Sequence, residues 1–186
     1  AGLDLYIWDE ATASWRWMAT TTKLTYPTTL NHITSLSSIG SSHYLPRVGY
    51  SHYRLHLPLY NGIQDLHIGH TTACPPEPDP TKYPQIIWYG TSIVQGASAS
   101  RPGMAFTNSI ARHLRHDVLN FGFTGNCLME ISVAEYLVQI PNPVLFVIDC
   151  LWNMNSSLIK MRTEPLVQFI RKYHPTIPIV LAEDTT

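Results

Sequence analysis

The chain has 186 residues, of which 45% are hydrophobic and 13% are charged, so it can bury a sizeable core and does not have the composition of a disordered protein. Twelve basic and thirteen acidic side chains leave a formal charge of −1, a balance that argues against a nucleic-acid partner, and no Lys/Arg cluster points to an anionic membrane surface. No apolar run reaches the roughly 18 residues of a membrane-spanning helix, so we expect no membrane insertion.

Residues 1–73 have the pattern of β structure. Three stretches alternate apolar or aromatic residues with polar ones: Leu3 to Trp8, Ser14 to Ala19 and Ser51 to Tyr60. Asn61-Gly62 then predicts a hairpin turn that leads to a returning strand, and the Ser/Thr-rich residues 20–46 predict a long loop. Because these strands are too few for two full sheets, we expect part of a β-sandwich accessory domain, with further residues before Ala1.

A proline-rich segment, residues 74–84, separates this β-rich part from the rest. It contains five prolines in eleven residues, and proline has no N–H to continue a helix or a sheet. We therefore expect a stiff, extended linker, followed by a second domain over residues 85–186.

The second domain alternates short apolar segments with helical patterns. Four segments without polar alternation are predicted as strands covered on both faces: Ile86–Tyr89, Val118–Phe121, Val144–Ile148 and Ile179–Leu181. Three helices are predicted between them: Met104 to His116, Met129 to Gln139, and Ser156 to Tyr173 with a break at Pro165. This order predicts an α/β fold, a parallel sheet between two layers of helices with right-handed crossovers.

Polar residues and glycines follow three of the predicted strands. They are Gly90, Thr91 and Ser92 after the first strand, Gly122, Gly125 and Asn126 after the second, and Asp149, Asn153 and Asn155 after the third. The carboxyl ends of parallel strands share one edge, where such sheets carry out their chemistry. A serine hydroxyl attacks a carbonyl, and backbone N–H groups with an asparagine carboxamide stabilise the oxyanion. Turns and helix caps are the alternative use of these residues.

Longer blocks of sequence resemble a known family. The stretches "YGTSIVQGASASRPGMAF", "NFGFTGN" and "IDCLWNMN" are similar to the first three blocks of the GDSL-like, or SGNH, hydrolases, whose domain is flavodoxin-like. The stretches "GLDLY" and "LHLPLYNGIQDLHIGH" resemble the GxDLY region that precedes this domain in one branch. The resemblance covers nearly the whole chain, with the blocks in the expected order.

The resemblance implies roles for individual residues. Ser92 would be the nucleophile, Gly125 would give an oxyanion N–H in preference to Gly122, and Asn153 would give a second donor. Thr91 replaces the aspartate of the eponymous motif. The family implies a serine esterase without a cofactor or a metal, acting on small esters, with acetylated carbohydrates as one class.

The family's general base is missing from the chain. That base is a histidine in a late D-x-x-H block, and none of the nine histidines has an aspartate three residues before it. We therefore expect a fragment of an esterase, truncated at both ends and left with about 10³–10⁴-fold residual acceleration. The alternative is a non-catalytic binding or structural module that self-assembles through the exposed edge of its fourth strand.

Cysteines and one sequon bear on localisation. Cys74, Cys127 and Cys150 form no CxxC pair, and Cys127 and Cys150 either form a disulfide or remain buried thiols. Few lysines and the sequon Asn155-Ser156-Ser157 favour a secreted protein with an N-glycan at Asn155. Two histidine pairs, His52 with His56 and His67 with His70, are candidate metal ligands, although an exposed strand face explains the first pair better. Arg101 and Glu130 are either substrate-positioning or solvated side chains.

Overall fold

The computed structural model describes residues 2–20, 52–70, 75–79 and 83–183. Most of the predicted loop, residues 21–46, and Cys74 lie outside these ranges. The chain divides into two compact units. The β unit comprises Ala1–Lys82 and Ser100–Gly103, and the α/β unit comprises Tyr83–Ala99 and Met104–Thr186. None of the helices in the described part of the chain has the length and hydrophobicity needed to cross a bilayer.

The β unit contains a three-stranded antiparallel sheet. Its strands are β1 (Asp4–Asp9), β2 (Ser14–Thr20) and β3 (Tyr53–His56), in the order β2-β1-β3. The first two predicted strands are confirmed, and they pair antiparallel with Trp8 opposite Trp15 and ring centroids 5.5 Å apart. Aromatic cross-strand pairs of this kind stabilise antiparallel sheets.

The hairpin predicted at Asn61-Gly62 is wrong. β3 pairs with β1 and ends at His56, and residues 57–70 contain no strand. Pro58 follows directly and has no N–H to donate to a ladder. Because β3 ends at His56, it does not extend far enough to pair with residues 63–70. Residues 63–70 form no strand and are exposed.

A buried carboxylate organises the β unit. Asp4 is completely buried, and it accepts hydrogen bonds from the guanidinium of Arg101 at 2.6 Å, the amide of Gly103 at 2.8 Å and the indole of Trp17 at 2.8 Å. Arg101 also donates to the Tyr6 hydroxyl at 2.5 Å. Of the two interpretations of Arg101, the solvated side chain is wrong, because its guanidinium pairs with a carboxylate 97 residues away.

The α/β unit contains a four-stranded parallel sheet. Its strands are β4 (Gln85–Gly90), β5 (Asp117–Gly122), β6 (Pro143–Asp149) and β7 (Ile179–Leu181), in the order β5-β4-β6-β7. Its helices are α1 (Ser92–Gln95), α2 (Phe106–Leu114), α3 (Ile131–Leu137) and α4 (Ser156–Tyr173). All four predicted strands are present to within one residue, and the α/β fold class is confirmed.

The side chains of β4 alternate between two layers of helices. Ile87 and Tyr89 lie in a core cluster with buried residues of α3 and α4, among them Leu137 and Leu166. On the other face, Trp88 packs edge-on against Phe106 of α2, with ring centroids 5.0 Å apart. Burial on both faces explains why these strands are apolar without alternation.

The break predicted at Pro165 is wrong, because α4 continues as one helix of 18 residues. Proline removes one helical hydrogen bond, but neighbouring residues hold both sides of it in the helix. Arg162 donates to the Leu128 carbonyl at 2.8 Å, and Leu166 and Ile170 are completely buried in the core. Tertiary contacts thus outweigh the local preference.

We expect Asp4→Ala to lower the free energy of unfolding of the β unit by about 3–5 kcal/mol, because it leaves the guanidinium of Arg101 without its buried partner. Urea denaturation followed by tryptophan fluorescence measures the change. Asp9→Ala is the matched control, since Asp9 bonds only to exposed groups of the same turn and to Arg16. An equal effect of the two substitutions would contradict this assignment.

Candidate active site

Three strands of the parallel sheet end at the same level. Gly90 at the end of β4 is in register with Gly122 of β5 on one side and with Asp149 of β6 on the other. The Phe123 amide donates to the Gly90 carbonyl at 2.8 Å, and the Thr91 amide donates to the Asp149 carbonyl at 3.3 Å. The segments that carry Ser92, Gly125 and Asn153 therefore begin side by side.

Ser92 is the first residue of the short helix α1. Thr91 precedes it as the N-cap and is buried, and its hydroxyl accepts from the Ile93 amide at 3.4 Å. The Ser92 carbonyl accepts from the amide of Ala97 at 2.8 Å, which closes the turn behind it. The serine is half-buried after the carboxyl end of β4, where the sequence predicts it, and Thr91 before it serves as a cap.

The two candidate glycines of the β5–α3 loop differ. A Cβ on Gly122 would come within 2.0 Å of the Gln95 nitrogen, so glycine is required for the close approach of α1. Its amide donates to the Asn120 side chain at 2.9 Å and is therefore occupied. Gly125 is exposed and has φ +70°, and its amide meets no acceptor among the described residues.

The surroundings of Gly125 hold it in a defined turn. The Asn126 amide donates to the Phe123 carbonyl at 3.1 Å. The Gln95 side chain accepts from both the amide and the hydroxyl of Thr124, at 2.9 and 2.7 Å. Gln95 belongs to α1, so the serine helix and the glycine turn brace each other. This geometry favours Gly125 over Gly122 as an oxyanion donor.

Asn153 ends the 3-10 turn Leu151–Asn153 that follows β6. Its carboxamide nitrogen donates to the carbonyl of Asn126, the residue after Gly125. An asparagine carboxamide has two N–H groups, so this bond orients the second one. The structure thus brings Asn153 to the Gly125 turn, as the sequence predicts.

A disulfide joins the same two loops. Cys127 and Cys150 are bonded, their Cα atoms are 5.0 Å apart, and both are completely buried. Of the two alternatives that the sequence leaves open, the structure has the disulfide. Sequence spacing alone does not reveal it, because the two cysteines follow β5 and β6, which are brought to one level only by their pairing with β4.

Glu130 is a further residue of the site that sequence reasoning leaves unassigned. Its carboxylate accepts from the Tyr89 hydroxyl at 2.5 Å and from the Leu128 amide at 2.8 Å. Burial raises the pKa of Glu130, but these hydrogen bonds outweigh burial and hold that pKa below its usual value. Glu130 is therefore not a solvated side chain, and it holds the loop that carries Gly125 through the Leu128 amide.

The three histidines of the α/β unit lie toward the amino ends of the strands, whereas Ser92 follows a carboxyl end. His116 directly precedes β5, His113 is in the last turn of α2, and His174 caps the end of α4 before β7. His174 contacts the Val138 carbonyl at 3.0 Å. Because they lie at the opposite ends of the strands from Ser92, none of the three is a base for Ser92.

The described residues contain no group of three or more His, Cys, Asp or Glu side chains able to hold a metal ion.

Asp149, the last residue of β6, lies at the same level as Gly90 and Gly122. Burial raises the pKa of Asp149 above its usual value, because the carboxylate at the end of β6 is partly removed from water.

Two family models match the chain. The one described as "GDSL-like Lipase/Acylhydrolase family" matches residues 83–186. The one described as "N-terminus of Esterase_SGNH_hydro-type" matches residues 1–73. No curated protein matches the chain.

Solved structures are similar to the chain over different shares of its length. A Bacteroides ovatus ATCC 8483 protein described as a GDSL-like lipase is 31% identical with a TM-score of 0.72, over 97% of this chain and 50% of its own. The chain thus spans about half the length of that relative. The salicylyl-acyltransferase SsfX3 is 24% identical with a TM-score of 0.47, over 57% of this chain and 34% of its own. The SGNH-hydrolase family esterase AlinE4 is 14% identical with a TM-score of 0.44, over 55% of this chain and 60% of its own.

We expect Gly122→Ala to lower the free energy of unfolding of the α/β unit by about 3 kcal/mol or more, because the new methyl group meets backbone that cannot move without displacing α1. Urea denaturation measures the loss. Gly62→Ala is the control, since a Cβ there meets nothing within 4 Å. Two variants of equal stability would show that α1 does not pack as described.

We expect Asp149→Asn to raise the melting temperature at neutral pH. A carboxyl whose folded pKa is raised destabilises the fold while it is ionised, and this penalty disappears as the pH falls below its unfolded value near 3.8. The gain should therefore be present at pH 7 and absent at pH 3, as measured by thermal denaturation at the two pH values. A gain that is equal at both would contradict the stated cause.

Proposed function

Because the chain belongs to the GDSL-like lipase/acylhydrolase family, also known as the SGNH hydrolases, we propose that it carries the acyl-transfer half of a serine esterase site, with Ser92 as the nucleophile. The alignment of Gly90 with Gly122 and Asp149 is the observation that carries this proposal. It brings the hydroxyl, the exposed amide and the carboxamide to one edge of the sheet.

In this proposal Ser92 Oγ attacks the carbonyl carbon of an ester, and its proton passes to a general base. The negative oxygen of the tetrahedral intermediate accepts hydrogen bonds from the amides of Ser92 and Gly125 and from the second N–H of Asn153. The intermediate then expels the alcohol, which takes the proton back from the base. Water, activated by the same base, hydrolyses the acyl-serine and releases the acid.

In this proposal the general base is not one of residues 1–186, because none of the nine histidines stands in a D-x-x-H block. The histidines of the α/β unit lie at the opposite ends of the strands from Ser92, and the chain spans half the length of its Bacteroides ovatus relative. We assign the base to a histidine outside these residues. Without it, oxyanion stabilisation and binding leave only about 10³–10⁴-fold acceleration over water.

Two features support export and glycosylation of the protein. Disulfides such as Cys127–Cys150 persist in oxidising compartments. Asn155 is exposed and caps α4 through its Oδ1 atom, which accepts from the Leu158 amide at 2.9 Å. The cap leaves its nitrogen, the atom that bears an N-glycan, on the surface. Secretion, a glycan at Asn155 and small esters such as acetylated carbohydrates are part of this proposal.

We expect imidazole in the buffer to replace the missing base. Hydrolysis of p-nitrophenyl acetate by the chain should rise by about 10-fold, a fraction of the 10²–10⁴-fold that a positioned base contributes. The gain should disappear in Ser92→Ala, after subtraction of the reaction of imidazole with the ester alone. Ser109→Ala on α2 is the matched control and should keep the gain.

A rate that Ser92→Ala leaves unchanged, with and without imidazole, would contradict the proposal. That result would favour the second candidate, a binding or assembly module that keeps the fold without the reaction. β7 lies at one edge of the described sheet and exposes Val180 and Leu181 to roughly half of their surface, so sedimentation analysis of the same sample would test self-assembly.

A further inference from the structure

We propose that Glu130 is a positioning residue for the oxyanion hole, which acts through Leu128 and Tyr89 to fix the loop that presents the Gly125 amide. This inference rests on the proposed function, since it assigns to Glu130 a role in that same site. Glu130 itself does not touch the substrate.

The loop that Glu130 closes has an unusual backbone. Gly125, Cys127 and Met129 have φ values of +70°, +72° and +57°, so every second residue is in the left-handed region. Glycine adopts this conformation readily, but cysteine and methionine do not. Strained residues persist only where their surroundings hold them, and they cluster at functional sites. The loop therefore depends on its anchors.

Each residue from 126 to 129 has an anchor. The Asn126 carbonyl accepts from Asn153, and Cys127 is bonded to Cys150. Leu128 is held at both of its backbone groups, since Glu130 accepts from its amide and Arg162 donates to its carbonyl. Apart from Glu130, which is the N-cap of α3, these anchors come from the loop after β6 and from α4.

Met129 completes the set of anchors. It is buried, and its sulfur lies 3.3 Å from the Thr163 hydroxyl, which donates to the Ile159 carbonyl at 2.8 Å. Glu130 differs from the other anchors in what it connects. One carboxylate oxygen accepts from both the Leu128 amide and the Tyr89 hydroxyl, and Tyr89 is the residue before Gly90 in the strand that leads to Ser92.

Glu130 thus links the β5–α3 loop, which carries Gly125, to β4, the strand that leads to Ser92. Hydrogen bonds to an ionised acceptor are stronger than those between neutral groups, and the pKa of Glu130 lies below its usual value, so the carboxylate is ionised at neutral pH. Without the Glu130 carboxylate, the Leu128 amide has no acceptor. Cys127 and Met129, the strained residues on either side of Leu128, are then held less firmly. The Gly125 amide then no longer points to a fixed position.

The test compares Glu130→Ala, Glu130→Gln and Glu135→Ala. Glu135 is an exposed glutamate on α3 and is the matched control. We expect Glu130→Ala to lower kcat for imidazole-assisted, Ser92-dependent ester hydrolysis about 10-fold with KM unchanged, less than the 10²–10³-fold lost with a whole oxyanion donor. Glu130→Gln should restore kcat to within about 3-fold, because its carbonyl oxygen accepts both hydrogen bonds.

A second measurement does not depend on activity. In ¹H–¹⁵N spectra, the Gly125 amide resonance should shift in Glu130→Ala and keep its position in Glu130→Gln and Glu135→Ala. A purely structural role predicts a lower melting temperature with kcat and the Gly125 resonance unchanged below it, and that result would overturn the inference. If Glu130→Ala does not fold, Tyr89→Phe removes one of the two hydrogen bonds and should shift the same resonance and lower kcat to a smaller extent.

The inference and the proposed function fail separately. If Ser92→Ala leaves hydrolysis unchanged, the proposed function fails, and the Gly125 resonance alone decides whether Glu130 positions the loop. If hydrolysis depends on Ser92 but neither kcat nor the Gly125 resonance responds to Glu130→Ala and Tyr89→Phe, only the role of Glu130 fails.

Discussion

The end of strand β4 is the constraint on which the candidate site depends. Its last residue, Gly90, is in register with Gly122 and Asp149 and accepts a hydrogen bond from the Phe123 amide. Glycine at 122 allows the backbone of α1 to approach the end of β5 at a distance that no side chain tolerates. Ser92 is thereby held between the two loops on which the proposed oxyanion donors lie.

Covalent and polar links then keep these loops in one arrangement. The disulfide between Cys127 and Cys150 and the bond from Asn153 to Asn126 join the two loops directly, and Glu130 joins one of them to β4. Oxyanion stabilisation requires donors that are fixed before the charge develops. The β5–α3 loop meets this requirement, because it is cross-linked and its Gly125 amide has no acceptor among the described residues. If these residues served only as turns and helix caps, such cross-linking would not be required.

The parallel sheet and the position of Ser92 follow from local signals in the sequence, because buried strands are short apolar runs and their carboxyl ends share one edge. Features that depend on distant residues do not follow. The ion pair between buried Asp4 and Arg101 joins residues 97 positions apart, and nothing near either residue indicates the other. Local signals also fail where other parts of the structure override them, as at Pro165, which core contacts keep inside a helix, and at Asn61-Gly62, where β3 ends at His56 and residues 57–70 contain no strand.

The central claim is that Ser92 is a nucleophile, and the most direct measurement is to locate a covalent adduct. The chain would be incubated with a fluorophosphonate in the presence of imidazole, digested and mapped by tandem mass spectrometry. Our account predicts one adduct, on the Ser92 hydroxyl, that forms more slowly when Glu130 is replaced by alanine. No adduct, or an adduct on another residue with Ser92 unmodified, would contradict it.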